Sequence, residues 1–220
     1  YESMHVNADF DQRVVIDTLS SEWVDSPVPG VERIILDRLG AEDARATSRV
    51  RFAPGSSFTP HDHPLGEEFL VLSGTFSDES GHYPAGTYVR NPPGSGHTAF
   101  SDQGCELFVK VRQFAPDDTS RVVIDTKAAA FRQGLVPGLT VLPLHEFGTE
   151  HAALVRWAPG TKFQPHTHWG GEEIFVLEGV FSDEHGDYPA GTWLRSPHMS
   201  IHKPYSDSGC LIYVKVGHLA

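Results

Sequence analysis

The sequence predicts an all-β protein built from two small antiparallel barrels or sandwiches in tandem. Three observations carry this expectation: an internal repeat over most of the 220 residues, apolar–polar alternation at the strand period, and turn residues every ten or so positions.

The repeat comes first. From Arg51 onward a constant offset of 105 aligns the two halves without a gap. "FSDESGHYPAGTYVRNPP" (76–93) meets "FSDEHGDYPAGTWLRSPH" (181–198), and "SDQGCELFVKV" (101–111) meets "SDSGCLIYVKV" (206–216). Upstream, "VVIDT" recurs at 14–18 and 122–126 with an offset of 108. A period near 105 is too long for a solenoid and suits a duplicated domain. The expected domains are 13–112 and 121–220, joined by a polar, proline-bearing linker, "QFAPDDTS" (113–120).

Alternation identifies the strands. Leu107, Val109 and Val111 alternate with Phe108, Lys110 and Arg112, and Ile212, Val214 and Val216 alternate with Leu211, Tyr213 and Lys215. "EEFLVLSG" and "EEIFVLEG" are continuous apolar runs, as expected of strands covered on both faces. Tyr-Pro-Ala-Gly and Asn-Pro-Pro-Gly mark hairpin turns. The best helix candidate is "VERIILDRLGAEDARA" (31–46), whose apolar cluster serves a strand equally well.

Composition excludes several classes. Seventeen basic against 29 acidic residues give a net charge of −12, which repels phosphate backbones, so no nucleic-acid partner is expected. No apolar run approaches the roughly 20 residues that span a bilayer, so no membrane association is expected. The start "YESMHVNADFDQ" has no basic n-region or apolar h-region, and Met4 is read as the native start. Cys105 and Cys210 make no disulfide framework, which fits a reducing cytoplasm. Homo-oligomerisation is left open.

The chemistry lies in a doubled histidine pattern. His61 and His63 are two apart, so on a strand both imidazoles leave the same face. Glu67 follows, and His97 comes 30 residues after Glu67. The second half repeats the spacing with His166, His168, Glu172 and His202. Six of the chain's 13 histidines fall in this pattern. Three imidazoles and a carboxylate suit zinc, iron, nickel, manganese or copper. Glu68 and Glu173 point to the opposite strand face and read as supporting or surface groups, with an exchange of roles with Glu67 and Glu172 left open. Phe69, Val71, Ile174 and Val176 are expected to line the pockets. Trp169 either caps the second pocket or packs in the core, and Arg51, Arg156, Arg90 and Arg195 are expected to pair with carboxylates rather than clamp an anionic substrate. The two cysteines are expected to pack as small apolar residues.

These residues carry a resemblance. Gly55, His61, His63, Glu67 and Gly74, and Gly160, His166, His168, Glu172 and Gly179, resemble the first cupin motif. Gly86, Pro92, Gly94 and His97 resemble the second; the other copy reads Gly191, Pro197, Met199 and His202, with Met199 in place of a glycine. The chain is thus identified as similar to a tandem cupin of jelly-roll type. The block "FSDExGxYPAGTxxRxP" further resembles the cupin domain of ChrR-type anti-sigma factors. That likeness implies one zinc per domain, held by His61, His63, Glu67 and His97, and by His166, His168, Glu172 and His202. It also implies a regulatory or sensor role in an oxidant response. The family's sigma-binding helical domain carries a His-x3-Cys-x2-Cys motif that this sequence does not contain, so direct sigma-factor binding is not expected. The alternative is a metal-dependent dioxygenase or another small-molecule cupin enzyme, although no distinct general base stands near either motif. A small-molecule ligand entering the barrels is open in both cases.

Overall fold

The computed structural model describes residues 5–41 and 43–220; Met4, the expected start, lies outside the described residues. Among these residues there is no helix. The 31–46 segment, the helix candidate, instead supplies strand Val31–Leu39, which pairs antiparallel with Arg45–Phe52. Val31, Ile34 and Leu36 are all buried, at 2%, 5% and 0% exposure. Burial on both faces favours an extended chain over a helix with one apolar stripe.

Two compact units form. The first comprises Tyr1–Ala8 and Glu22–Ala128, the second Asp9–Ser21 and Ala129–Ala220. In the first, the sheet runs His5–Val6, Val31–Leu39, Arg45–Phe52, Cys105–Val111, Glu67–Asp78, Thr87–Asn91, Val122–Asp125, with every pairing antiparallel. The second repeats it as Arg132–Gln133, Leu139–Phe147, Glu150–Trp157, Cys210–Val216, Glu172–Asp183, Thr192–Ser196, Val14–Asp17. The doubled "VVID" strands are therefore exchanged. Val14–Asp17 of the first repeat closes the second unit on Thr192–Ser196, and Val122–Asp125 closes the first on Thr87–Asn91. The compact units differ at this element from the contiguous spans 13–112 and 121–220, because an edge strand binds whichever unpaired edge it reaches.

Residues 113–120, expected as a polar linker, pack onto the first unit. Phe114 is 6% exposed and lies under the Arg90 guanidinium, 3.9 Å from ring centroid to Cζ, while Asp118 bonds Arg90 at 3.1 Å. Gly66 permits this approach, since a Cβ there would meet the Phe114 ring at 2.5 Å.

Each unit has its own core. In the first, Phe69, Val71, Phe76, Val89 and Leu107 cluster with Phe52; in the second, Ile174, Val176, Phe181, Leu194 and Ile212 cluster with Trp157. Cys105 and Cys210 join these clusters as free thiols, and burial pushes both up to about 11.

Candidate metal centres

Each unit carries a small two-stranded sheet set apart from its main one. His61–His63 pairs with Ser95–His97, placing His97 opposite His61. His166–His168 pairs with Ser200–His202, placing His202 opposite His166. The turn before the second strand is held by a backbone bond to the middle of the site: Gly94 N–H donates to the His63 carbonyl at 2.9 Å, and Met199 N–H to that of His168 at 2.8 Å. Met199 adopts φ 66 to do so, against 81 at Gly94, so the turn survives loss of the motif glycine with a side chain in the left-handed region.

In the first unit the three imidazoles form one cluster, and Glu67 stands beside two of them, His63 and His97. His63 Nε2 lies 2.9 Å from His97 Nε2 and 3.1 Å from Glu67 Oε2, and His97 Nε2 lies 3.6 Å from the same oxygen. The His61 ring is 4.7 Å from that of His63 and 4.8 Å from that of His97. In the second unit one donor atom each from His166, His168, Glu172 and His202 falls within 4.8 Å of the others. His168 Nε2 is 2.7 Å from His202 Nε2 and 3.3 Å from Glu172 Oε2.

The tautomers are set from behind. His61 Nδ1–H donates to the Thr59 carbonyl at 3.0 Å, and His166 Nδ1–H to that of Gln164 at 3.1 Å. His97 Nδ1–H donates to Asp78 Oδ2 at 3.2 Å, while His202 Nδ1 lies more loosely, 3.8 Å from Asp183 Oδ2. In His61, His97 and His166 the Nδ1 bond leaves a lone pair on Nε2 for the centre, as a metal-binding imidazole requires.

A relay continues behind the carboxylates. Tyr83 O–H donates to Asp78 Oδ1 at 3.0 Å and accepts from Arg121 at 2.7 Å. In the second unit Tyr188 donates to Asp183 at 2.8 Å and accepts from Arg13 at 2.5 Å. Burial, then the neighbouring Asp, raises both phenols, Tyr188 to about 12, so each keeps its donor proton. Arg13 and Arg121 each stand one position before an exchanged "VVID" strand, so strand exchange places them. Sequence reasoning missed Asp78, Asp183, the two tyrosines and these arginines. The signal was present in the doubled "FSDE", "YPAGT" and "RVVIDT" blocks, but only the fold brings them together.

The two glutamates of each pair take opposite faces of their strand. Glu67 and Glu172 face the imidazoles. Glu68 and Glu173 face away, and they are buried at 3% and 1% exposure rather than lying at the surface. Glu68 pairs with Arg90; Glu173 accepts from His218 at 2.7 Å and from Trp193 at 3.2 Å. Arg51 pairs with Glu32 at 3.0 Å, Arg156 with Glu178 at 3.4 Å, and Arg195 donates to the Asp9 carbonyl at 3.0 Å. Trp169 neither caps the pocket nor packs in the core: it is 55% exposed, with its edge against His198.

The two sites hold protons differently. Burial opposes charge on both members of the His63–Glu67 pair, yet their hydrogen bond and mutual attraction win, raising His63 and holding Glu67 down at about 2. Asn91 assists by donating to Glu67 at 3.3 Å. In the second unit Ser196 takes the place of Asn91. There burial, aided by Asp183, pushes Glu172 up to about 7, while burial and then His202 and His166 bring His168 down to about 3.

Each centre forms one wall of a cavity. The first cavity, about 410 Å³, is lined by His61, His63, Glu67 and His97 together with apolar residues; the second, about 380 Å³, by His166, Glu172 and His202. Of the expected lining residues, Ile174 lines the second cavity, whereas Phe69, Val71 and Val176 belong to the cores. Three Nε2 donors and a carboxylate, pre-aimed and half enclosed, are a divalent-metal donor set.

The ChrR cupin-like domain model matches residues 11–115 and again 119–220. No curated protein sequence matches the chain. Among solved structures, a candidate dioxygenase from Nostoc punctiforme has a TM-score of 0.78 at 16% identity, covering 94% of this chain and 82% of that one. The E. coli protein YlbA has a TM-score of 0.71 at 15% identity, covering 98% and 94%. A salicylate 1,2-dioxygenase from Pseudoaminobacter salicylatoxidans has a TM-score of 0.63 at 10% identity, covering 80% and 72%. At these identities the likeness is one of fold. No helix among the described residues is long and apolar enough to cross a membrane.

Proposed function

Because the chain belongs to the ChrR cupin-like family in both of its halves, we propose that it is a two-site metal-binding regulator whose barrels respond to a small molecule or an oxidant. One observation carries this. In each unit the imidazole–carboxylate cluster forms a wall of a largely apolar cavity, so a bound ion would face a space fit for an organic ligand. His61, His63, Glu67 and His97 would hold one ion, and His166, His168, Glu172 and His202 the other, with zinc as the expected metal. When bound, the ion would supply a Lewis-acidic positive centre, and these residues would link each two-stranded sheet to the strand that begins at Glu67 or Glu172. Regulation then runs through the occupant of the cavity rather than through direct capture of a sigma factor.

Metal analysis of natively purified protein tests this. About two zinc ions per chain are expected, falling to about one in His97→Ala and in His202→Ala. Full occupancy in both variants would remove these residues from the ligand set. The cavity beside the metal donors also favours a second reading, a metal-dependent dioxygenase. Iron in the purified protein, with oxygen uptake on adding a substrate, would select that reading.

The relay behind each site adds an independent expectation. Arg121→Met frees the Tyr83 hydroxyl from its donor and loosens Asp78 behind His97. Metal affinity of the first site is expected to fall about tenfold, with the second unchanged, in competition against a chromogenic chelator. Equal affinities in variant and parent would show that the relay does not tune the site.

A further inference from the structure

We propose that the two metal sites are not equivalent: Asn91 and Arg121 clamp the donors of the first site, which keeps its ion after the second has released its own. The proposal rests on the two-site metal reading and deepens it, by naming the site that empties.

Both sites offer three imidazoles and a glutamate, so a difference between them has to come from what stands behind the donors. In the first unit strand pairing brings a row of side chains to Glu67. Asn91 lies directly across from Glu67 on the neighbouring strand. The exchanged strand pairs with that strand as far as Arg90 and Val122, so Arg121 continues the row beside Asn91. The row is hydrogen-bonded along its length. Arg121 Nε–H donates to Asn91 Oδ1 at 3.3 Å, and Asn91 Nδ2–H donates to Glu67 Oε2 at 3.3 Å. An amide suits this place, since its oxygen accepts from one neighbour while its nitrogen donates to the other. The same guanidinium has a second arm. Its Nη2 donates to Tyr83, whose hydroxyl donates to Asp78, which in turn accepts from His97 Nδ1. One arginine thus supports two donors, Glu67 and His97.

The second unit keeps the row and loses the amide. Ser196 lies across from Glu172, and Arg13 continues from the pair formed by Val14 and Arg195. The serine side chain ends one bond sooner than that of asparagine. Among the described residues the Glu172 carboxylate pairs with His168 and His202 alone, at 3.3 and 3.5 Å. Arg13 still reaches Tyr188 and, through it, Asp183. Asp183 stands 3.8 Å from His202 Nδ1, however, where Asp78 stands 3.2 Å from His97 Nδ1. One donor atom from each of the four residues of the second site already lies within 4.8 Å of the others, so that site lacks support rather than reach.

Support decides affinity through entropy and orientation. A free carboxylate side chain loses rotamer freedom when it takes up an ion, and one that is already held loses little. Partners behind metal ligands are worth about 10–100-fold in affinity. As free metal falls, the second site therefore empties first, and the chain responds at two thresholds.

Titration of the zinc-loaded full chain with a competing chelator tests this, with His202→Ala and His97→Ala used to leave one site at a time. The first site is expected to hold zinc about tenfold tighter than the second, or more. Asn91→Ser should weaken the first site by about tenfold, toward the level of the second, and Ser196→Asn should tighten the second severalfold. That gain separates positioning from a merely structural role, because lost packing does not raise an affinity. With cobalt(II) in place of zinc, Asn91→Ser should also change the visible absorption of the first site while the circular dichroism spectrum stays that of the parent. Equal affinities at the two sites overturn the inference, as does a first site whose affinity and cobalt spectrum ignore Asn91→Ser. A chain that takes up no metal at all overturns the metal reading, and this inference falls with it.

Discussion

Arg90→Met is expected to unfold the first unit at denaturant concentrations where the second still stands. Arg90 is 0% exposed, pairs with Glu68, bonds Asp118 at 3.1 Å and stacks on Phe114. The substitution removes the charge between two carboxylates that are each 3% exposed. Breaking a buried pair from one side costs about 3–5 kcal/mol, because the remaining charge stays desolvated. Asp118 and Phe114 belong to the segment 113–120, so the same change should detach that segment and make it sensitive to protease. Urea unfolding followed by tryptophan fluorescence, with limited proteolysis, reads both effects. A loss below about 1 kcal/mol would mean that water or rearranged side chains already compensate the pair.

Chelation is the second large effect, and its size is expected to depend on pH. In the metal-free second unit, Glu172 is raised to about 7, so its contribution to stability is present below the ordinary carboxylate value and is lost as pH rises through 7. Metal needs the ionised carboxylate and neutral imidazoles, so its contribution is present at high pH and is lost as pH falls. In the first unit Glu67, held at about 2, is ionised throughout that range, and the raised His63 is the group that must lose its proton. The excess chelator should therefore lower Tm most near pH 8 and little near pH 5.5. At free metal of about a thousand times Kd the bound ion contributes about 4 kcal/mol, which for a unit of this size corresponds to a Tm loss on the order of 10 °C or more. Differential scanning calorimetry across pH checks it. A chelator effect that is constant from pH 5.5 to 8 would place the metal on donors other than these.

By itself the sequence determined what local chemistry and repetition encode. The all-β class follows from alternation at "LFVKV" and "LIYVKV" and from the turn residues between strands, since a period of two commits side chains to faces regardless of what lies opposite. The eight candidate ligands were legible because His-x-His on a strand needs no tertiary information to put both rings on one side, and the duplication states the spacing twice. Tertiary structure decided the rest. The 31–46 segment became a strand and a hairpin because its apolar residues found cover on both faces, which depends on what packs against them. Which "VVIDT" strand closes which barrel depends on the edge it meets, and with it the placement of Arg13 and Arg121 behind the opposite repeat's histidine. Glu67 could be told from Glu68 only once the sheet fixed which face turns inward. Asn91 and Arg121 lie far from Glu67 along the chain, and only strand pairing across the sheet brings them into line with its carboxylate.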